Sequence, residues 1–172
     1  MTKKFSLIFL FIFLSLSACS AQKDDNQNSR SSKKNNPTSD FGGNNSNLRI
    51  LSGNIINLRV GNESFKINLY DNPTANDLYE KLPLTKTINN YGSWQEKIIH
   101  LNDIKLSMKN APKGDTPLYP EVGYYQPGNW IAIYYGDIGY WPGKVPLGTI
   151  NSTTEKIESI PVGIKIIIER IR

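Results

Sequence analysis

The sequence is poor in the residues that most often cross-link a chain or hold a metal, since its 172 residues include one cysteine and one histidine. A single cysteine cannot form a disulfide within the chain, so a hydrophobic core must provide the stability. One histidine argues against a zinc site and against a Ser-His-Asp triad. Phosphate-binding glycine loops, metal motifs and internal repeats are not recognisable, and neither a cofactor nor a metal is expected.

The sequence also has little net positive charge outside its amino-terminal residues. The formal net charge is +5, of which Lys3 and Lys4 contribute two, while residues 20–47 have four basic and three acidic residues. From Leu48 onward fourteen basic residues accompany twelve acidic ones, which leaves +2. This part lacks the basic stripe that nucleic acids require, so no nucleic-acid partner is expected.

The amino-terminal residues have the pattern of an export signal. Lys3 and Lys4 precede the apolar run Phe5–Leu14, which is shorter than the about 20 residues that span a bilayer. The following Leu16-Ser17-Ala18-Cys19 resembles the lipobox of bacterial lipoproteins. This resemblance implies a signal peptide at 1–18, lipidation of Cys19 by diacylglycerol and a further acyl chain such as palmitate, and an extracytoplasmic protein anchored in the cell membrane or outer membrane. The alternative is an ordinary signal peptide with an incidental cysteine.

The next segment, residues 19–47, has too little apolar surface to fold by itself. Its aliphatic residues are no larger than Ala21, and Asn, Ser, Lys and Asp dominate it. Burial of such a segment could not offset its loss of conformational entropy. We therefore predict a lipidated, disordered tether over 19–47 and one folded domain over 48–172, which has the length of an ordinary domain.

Short β-prone runs separated by Gly and Pro predict a mainly β domain. Gly61-Asn62 predicts a hairpin turn, and one helix is predicted over Thr74–Leu82, with Thr74 as its N-cap. The last run, Val162–Ile171, is apolar at nearly every position and is expected to be buried on both faces or to lie centrally in the sheet. Many strands with one or two short helices indicate a small closed or nearly closed barrel. The strand candidates are 48–51, 55–60, 64–70, 84–90, 95–100, 105–108, 121–125, 129–135, 145–150 and 162–171.

The stretch Gly123–Gly136, GYYQPGNWIAIYYG, resembles the bacterial cyclophilin-like family, whose members carry Tyr-x-Pro-Gly-Asn before an apolar strand that ends in Tyr-Gly or Phe-Gly. Flanking residues agree, in particular Asn72–Ala75 before the helix, Asn110–Pro112 before the motif and Leu147–Ile150 after it. The resemblance covers about residues 50–170. It implies a small cyclophilin-like β-barrel.

Similarity to the isomerase cyclophilin itself does not extend to the active-site residues. Pro127–Gly136 has the length and the Gly-containing ends of a cyclophilin active-site strand, but Ala132 and Tyr134 stand where that strand has methionine and asparagine. The Phe-His-Arg of true cyclophilins is absent, and His100 is followed by Leu101-Asn102. Isomerisation needs a donor aimed at the proline nitrogen, usually that arginine. We therefore expect no catalytic residues, no efficient isomerase activity and a surface or hydrogen-bonded role for His100.

Aromatic residues are dense between Tyr119 and Trp141. On an alternating strand Trp130 and Tyr134 share one face, opposite Ile131 and Ile133, so at least one face presents rings. The connection 136–143 adds two rings and is expected either to be functional or to fold over the open end of the barrel. The pattern predicts a groove for a peptide or small-molecule ligand, unless the rings only fill the core. The candidate ligand-binding residues are Tyr125, Trp130, Tyr134, Tyr140 and Trp141.

Three functions remain open from the sequence. The first is a membrane-anchored binding or accessory module that uses the aromatic groove. The second is a weak or specialised peptidyl-prolyl isomerase acting on exported proteins, and the third is a structural component of the cell envelope. An ordered aromatic groove would favour the first, an arginine beside an apolar, proline-sized pocket the second, and a filled barrel without a cleft the third.

Overall fold

The computed structural model describes residues 45–171, which form a closed antiparallel barrel of eight strands with two short helices. The predicted mainly β barrel is thereby confirmed. The predicted signal peptide, Cys19 and residues 19–44 of the predicted tether lie outside the described residues. The elements are a 3-10 helix at Asn45–Arg49, β1 Leu51–Val60, β2 Glu63–Tyr70, α1 Pro73–Glu80, β3 Leu84–Asn90, β4 Glu96–His100, β5 Gly114–Asp115, β6 Glu121–Tyr125, β7 Trp130–Tyr134, β8 Trp141–Pro142, β9 Lys144–Ile150, α2 Thr154–Glu158 and β10 Lys165–Arg170.

The barrel closes in the order β1-β10-β3-β4-β7-β6-β9-β2, while β5 and β8 form a separate two-stranded sheet. The predicted hairpin is present, because β1 and β2 pair from Val60–Glu63 outward and Gly61 takes the positive φ of +60° that the turn requires. The predicted strand at 105–108 is wrong, since this segment is irregular. Closure leaves the eight barrel strands without a free edge.

The N-cap of helix α1 is Asn72, which lies two residues before Thr74, the N-cap that the sequence predicts. The side-chain oxygen of Asn72 accepts a hydrogen bond from the backbone N–H of Ala75 at 2.9 Å, and Pro73 occupies the first turn. Thr74, the predicted cap, instead donates its hydroxyl to the carbonyl of Ser107 at 2.6 Å. The helix adds Ala75 and Leu78 to the core of the barrel.

Strand β10 has one buried face and not two. Ile166 and Ile168 point into the core, whereas Lys165 is exposed and Ile167 is partly exposed. Of the two expectations for this run, burial on both faces is therefore wrong, because only the inner face of a barrel strand meets the core. The alternative, a place within the sheet, is confirmed, since β10 lies between β1 and β3. The apolar run continues on a side that remains in contact with solvent.

The two faces of β7 belong to two different hydrophobic clusters. Ile131 and Ile133 lie in the barrel core, while Trp130, Ala132 and Tyr134 lie in a second cluster outside the barrel. The barrel core is nearly filled, with a cavity of about 10 Å³ among its aliphatic side chains, which is at the lower limit for one water molecule. Within residues 45–171 no helix is long and apolar enough to cross a bilayer. A ligand would have to bind outside the barrel.

Candidate functional site

Five aromatic rings meet on the outer surface of β4, β7 and β6, and we call them the aromatic face: Tyr91, Trp94, Tyr125, Trp130 and Trp141. Trp130 lies at the centre, with its ring centroid 4.9 Å from that of Tyr91 and 4.8 Å from that of Tyr125. Trp141 meets Tyr125 edge-on at 5.6 Å and Trp94 edge-on at 5.4 Å. These separations are those of directly interacting aromatic pairs. The rings therefore form one continuous surface.

Strand pairing accounts for the position of the central rings. His100 of β4 pairs with Trp130 of β7, which pairs in turn with Tyr125 of β6. Paired residues of antiparallel strands present their side chains on the same face of the sheet. Tyr91 and Trp94 lie in the turn between β3 and β4, where the N–H of Trp94 donates to the carbonyl of Tyr91 at 3.1 Å. This turn brings two more rings to the edge of the same face.

The segment 136–143 covers part of this outer surface. Ile138 and Trp141 pack against the second cluster, and the indole N–H of Trp141 donates to the carbonyl of Ile138 at 3.0 Å. One of the two roles expected for this segment from the sequence, a cover over the open end of the barrel, is therefore wrong. The apolar side chains of Ile98 and Ala132 point outward from the barrel and need cover, which this segment provides.

The structure brings together three of the five predicted site residues. Tyr125, Trp130 and Trp141 belong to the aromatic face. Tyr134 lies in the cluster beneath, 1 % exposed. Tyr140 is 54 % exposed, and its hydroxyl lies so close to Gly114 that a Cβ added there would be 2.5 Å away. Whether any of these residues binds a ligand stays a prediction.

Sequence reasoning missed Tyr91 and Trp94. They lie 39 and 36 residues before Trp130 in the sequence, outside the dense aromatic window. The available signal was a turn, Tyr91-Gly92-Ser93-Trp94, that carries two large rings without lying in a strand. Trp94 is 44 % exposed, and exposed aromatic residues on loops are more often functional than those in cores.

A buried ion pair lies beside the aromatic face. The ammonium of Lys144 is 3.8 Å from the nearer carboxylate oxygen of Glu96, and both side chains are 2 % exposed. The same ammonium is 4.5 Å from the ring centroid of Tyr134 and 5.1 Å from that of Trp141. At 3.8 Å the charges attract but do not form a hydrogen bond, so two aromatic rings provide much of the remaining stabilisation of the cation.

Burial changes the protonation equilibria of this pair. It lowers the pKa of Lys144 to about 8, against the opposing charges of Glu96 and Asp115. It raises the pKa of Glu96, with Lys144 acting in the opposite direction. Burial, with a further contribution from Glu96, also raises the pKa of Tyr134 well above its usual range. The pKa values of the lysine and the glutamate are thus brought closer together, while the phenol remains protonated.

Polar atoms without a hydrogen-bond partner collect in the same place. Among residues 45–171, the indole N–H of Trp130 and Lys144 Nζ donate no hydrogen bond, Glu96 Oε2 accepts none, and the hydroxyl of Tyr134 does neither. Buried polar groups are usually paired, because an unpaired group costs about 1 to 3 kcal/mol. A set of four within one cluster marks this site as different from an ordinary core.

Comparison with known proteins identifies the family of this fold. The profile of the cyclophilin-like family matches residues 58–169, which is well over half of the chain. The chain belongs to the cyclophilin-like family. Its domain is similar to the solution structure of a hypothetical protein from Archaeoglobus fulgidus, with a TM-score of 0.52 and 17% sequence identity over 70% of this chain and 97% of that chain. At this identity the likeness concerns the fold alone. No curated protein matches the chain.

An ionic cluster joins the start of the cyclophilin-like domain to the sheet beside the aromatic face. Arg49 donates from Nε and Nη2 to the two carboxylate oxygens of Glu121 at 2.7 and 3.0 Å, and from Nη2 to Asp115 at 2.7 Å. The hydroxyl of Tyr70 donates to Glu121 at 2.9 Å. Burial and the nearby charge of Glu121 raise the pKa of Tyr70. Within residues 45–171 no group of three or more metal-ligating side chains could hold an ion.

Proposed function

We propose that this protein is a lipid-anchored, extracytoplasmic binding module whose cyclophilin-like domain holds a peptide or small molecule on the aromatic face. The observation that carries the proposal is the contact network of five rings outside a filled barrel. A domain of this fold needs a core inside the barrel, but it does not need a second aromatic cluster on the outside.

Exposure of the rings supports the proposal. Trp94 is 44 % exposed, and Tyr91, Tyr125 and Trp141 are half-buried. Rings of this kind combine a large apolar area with polar tips, and they lose little conformational entropy on binding. A ligand that covered their edges would gain hydrophobic energy without requiring the domain to unfold.

The polar atoms that lack hydrogen bonds favour a ligand that carries amide groups. The ammonium of Lys144 is a donor and lies 5.1 Å from the ring centroid of Trp141. The carboxylate of Glu96, 3.8 Å from that ammonium, is an acceptor. A peptide group has one acceptor and one donor, which complement such a pair. Displacement of Trp141 and its loop would let a ligand reach these atoms.

Three arginines in the described part of the chain are already engaged, which supports a binding role over catalysis. Arg49 is held by two carboxylates, Arg59 by Glu169 at 3.2 Å, and Arg170 donates to the carbonyls of the last turn of α1 at 2.8 Å. Prolyl isomerisation has an uncatalysed barrier of about 18 to 20 kcal/mol. Without a preorganised donor at the proline nitrogen, little of that barrier can be removed.

The anchor is part of the proposal and rests on the sequence before residue 45. Lys3, Lys4 and the apolar run lead to Leu16-Ser17-Ala18-Cys19, and the polar residues that follow separate the domain from the lipid. Two acyl chains make a stable anchor, whereas a single chain is reversible. The domain would then present its aromatic face outside the membrane at a fixed location.

The binding test uses the full chain in nonionic detergent and a panel of N-acetyl dipeptide amides that contain one aromatic residue, titrated by tryptophan fluorescence. We expect saturable binding that weakens about tenfold or more in Trp94→Ala, because Trp94 is the most exposed ring of the aromatic face and tryptophan is enriched among residues that dominate binding energy. The matched control is Tyr119→Ala, which removes an equally exposed ring outside the aromatic face. Equal effects of the two substitutions, or no saturable binding, would contradict the proposal.

The catalytic alternative is tested separately in a protease-coupled isomerisation assay on Xaa-Pro peptides, with a true cyclophilin as positive control. We expect negligible turnover. Robust turnover that Arg59→Ala abolishes would instead establish the domain as an isomerase.

A further inference from the structure

A second depression lies across β10, β3 and β4, and we call it the basic groove; it adjoins the aromatic face at His100, whose ring centroid is 5.5 Å from that of Trp130. Its volume is about 370 Å³, a size suited to a small ligand. It contains two lysines and the only histidine of the chain but no carboxylate. The lining residues are Thr85, Lys86, Thr87, Asn89, His100, Asn102 and Lys165.

The positive charge of the basic groove is not compensated within the described part of the chain. Among residues 45–171, neither Lys86 nor Lys165 has a carboxylate within 4.0 Å, whereas Lys81, Lys144 and Lys156 each have one. Lys86 donates one proton to the carbonyl of Leu101 at 3.0 Å. This bond fixes the ammonium at the groove and leaves two of its three donors for a ligand.

The sheet register places two of the donors, Lys165 and His100, on the outer face of neighbouring strands. Lys86 pairs with the core residue Ile166 and starts from the inner face, and its long side chain extends to the carbonyl of Leu101, next to His100. Lys165 of β10 pairs with Thr87 of β3. Ile88 pairs with Ile99, so Thr87 is brought opposite His100 on the next strand. Adjacent strands lie about 4.8 Å apart, so the side chains of Lys165, Thr87 and His100 project side by side. The groove is therefore built on a rigid sheet and not on a loop.

We propose that the basic groove binds a phosphate ester. The ammonium groups of Lys86 and Lys165 and an imidazole N–H of His100 would donate to the phosphate oxygens, since charged donors favour such oxyanions. The hydroxyls and amides that line the rest of the groove would pair with a polar substituent such as glycerol or a sugar. These lining groups are the side chains of Thr85, Thr87, Asn89 and Asn102.

The test is isothermal titration of glycerol 3-phosphate into the full chain in nonionic detergent, at fixed ionic strength. We expect saturable binding that weakens at least about tenfold in K86Q/K165Q, because charge-assisted hydrogen bonds are lost. The matched control, K105Q/K109Q, removes the same charge from exposed lysines outside the groove, and we expect less than about a twofold change. Equal weakening in both double variants, or no saturable binding by the wild type, would overturn the proposal.

Two further measurements keep the result interpretable. Lys86 is partly buried, so circular dichroism must confirm that its variant is folded; if it is not, K165Q alone, at an exposed position, must weaken binding. Trp94→Ala should leave binding unchanged, which separates the basic groove from the aromatic face. Phosphatidylglycerol in the micelles, but not phosphatidylcholine, should compete if the natural ligand is a lipid headgroup, while lack of competition assigns a soluble phosphate ester.

Discussion

The buried pair of Lys144 and Glu96 predicts that the protein becomes more stable as the pH rises above neutrality. The pKa of Lys144 is about 8 in the folded state and has the ordinary value of 10.5 in the unfolded chain. Between these values the unfolded state keeps a proton that the folded state has released. The free energy of unfolding therefore increases with pH across this window.

The magnitude follows from the two pKa values. From about pH 7.5 to about pH 9.5 the lysine alone should add about 2 kcal/mol to the free energy of unfolding. Lys97, whose pKa is also lowered by burial, acts in the same direction. The raised pKa values of Tyr70 and Tyr134 act in the opposite direction only as the pH approaches and passes 10, the ordinary value of tyrosine. The pH window from about 7.5 to about 9.5 lies below that value, so the change in stability within it reports on the two lysines.

Glu96 has the opposite dependence at acidic pH. Its folded pKa is raised above the ordinary 4.5, so its contribution to stability is fully present below pH 4.5 and is lost as the pH rises through the folded value. Because of these two shifts, the contribution of the pair to the free energy of unfolding is lowest near neutral pH.

The assay is equilibrium urea unfolding at constant ionic strength, with the double variant Glu96→Gln/Lys144→Met as the control. Replacing both partners avoids leaving one charge buried alone, which would cost about 3 to 5 kcal/mol. We expect the wild-type increase to exceed that of the variant by about 2 kcal/mol over the window. Parallel pH profiles would show that Lys144 titrates normally and is not held in a low-dielectric site.

Three other predictions concern the anchor, the domain and its first helix. Cys19→Ser should leave an unlipidated precursor, because a hydroxyl cannot receive the diacylglycerol; mass spectrometry of the wild-type amino terminus decides this, and a mature chain that begins elsewhere would contradict it. Residues 48–172 alone should give a β-type circular dichroism spectrum and a cooperative thermal transition, since the barrel core lies within them; a mostly helical spectrum would refute the assignment. Asn72→Ala should lower the free energy of unfolding by about 1 kcal/mol or more, because Asn72 caps α1 and also donates to the carbonyl of Pro146 at 2.9 Å; an unchanged free energy of unfolding would contradict this role of Asn72.

Local sequence signals predicted the strands well where turns mark both ends. Strand β3 was predicted with its observed bounds, because Pro83 precedes it and Tyr91-Gly92 follows it. The opposite faces of β7 also followed from the alternation of its residues. Strand ends and alternating strand faces depend on residues that are adjacent in the sequence, so the sequence alone can predict them.

Features that depend on distant segments were not predictable in the same way. Lys144 reads as an ordinary strand lysine, and only the packing of Trp141 and Tyr134 around it makes it buried. Ile167 is as apolar as its neighbours, yet it lies on the outer face of β10 and is only partly buried. Asn72 and Thr74 are both acceptable helix caps, and the contact of Thr74 with Ser107 decides between them.

The ionic cluster of Arg49 has a mechanical consequence. Arg49 lies in the first described element and forms ion pairs with Asp115 and Glu121. These two carboxylates would therefore resist a pull on the chain ahead of the domain before the force reached β1. Asp115 is paired with Trp141 in the small sheet of β5 and β8. Tension at the entry point of the chain would thus be transmitted to the segment that covers the aromatic face, and the orientation of the domain under load would be coupled to the shape of that face.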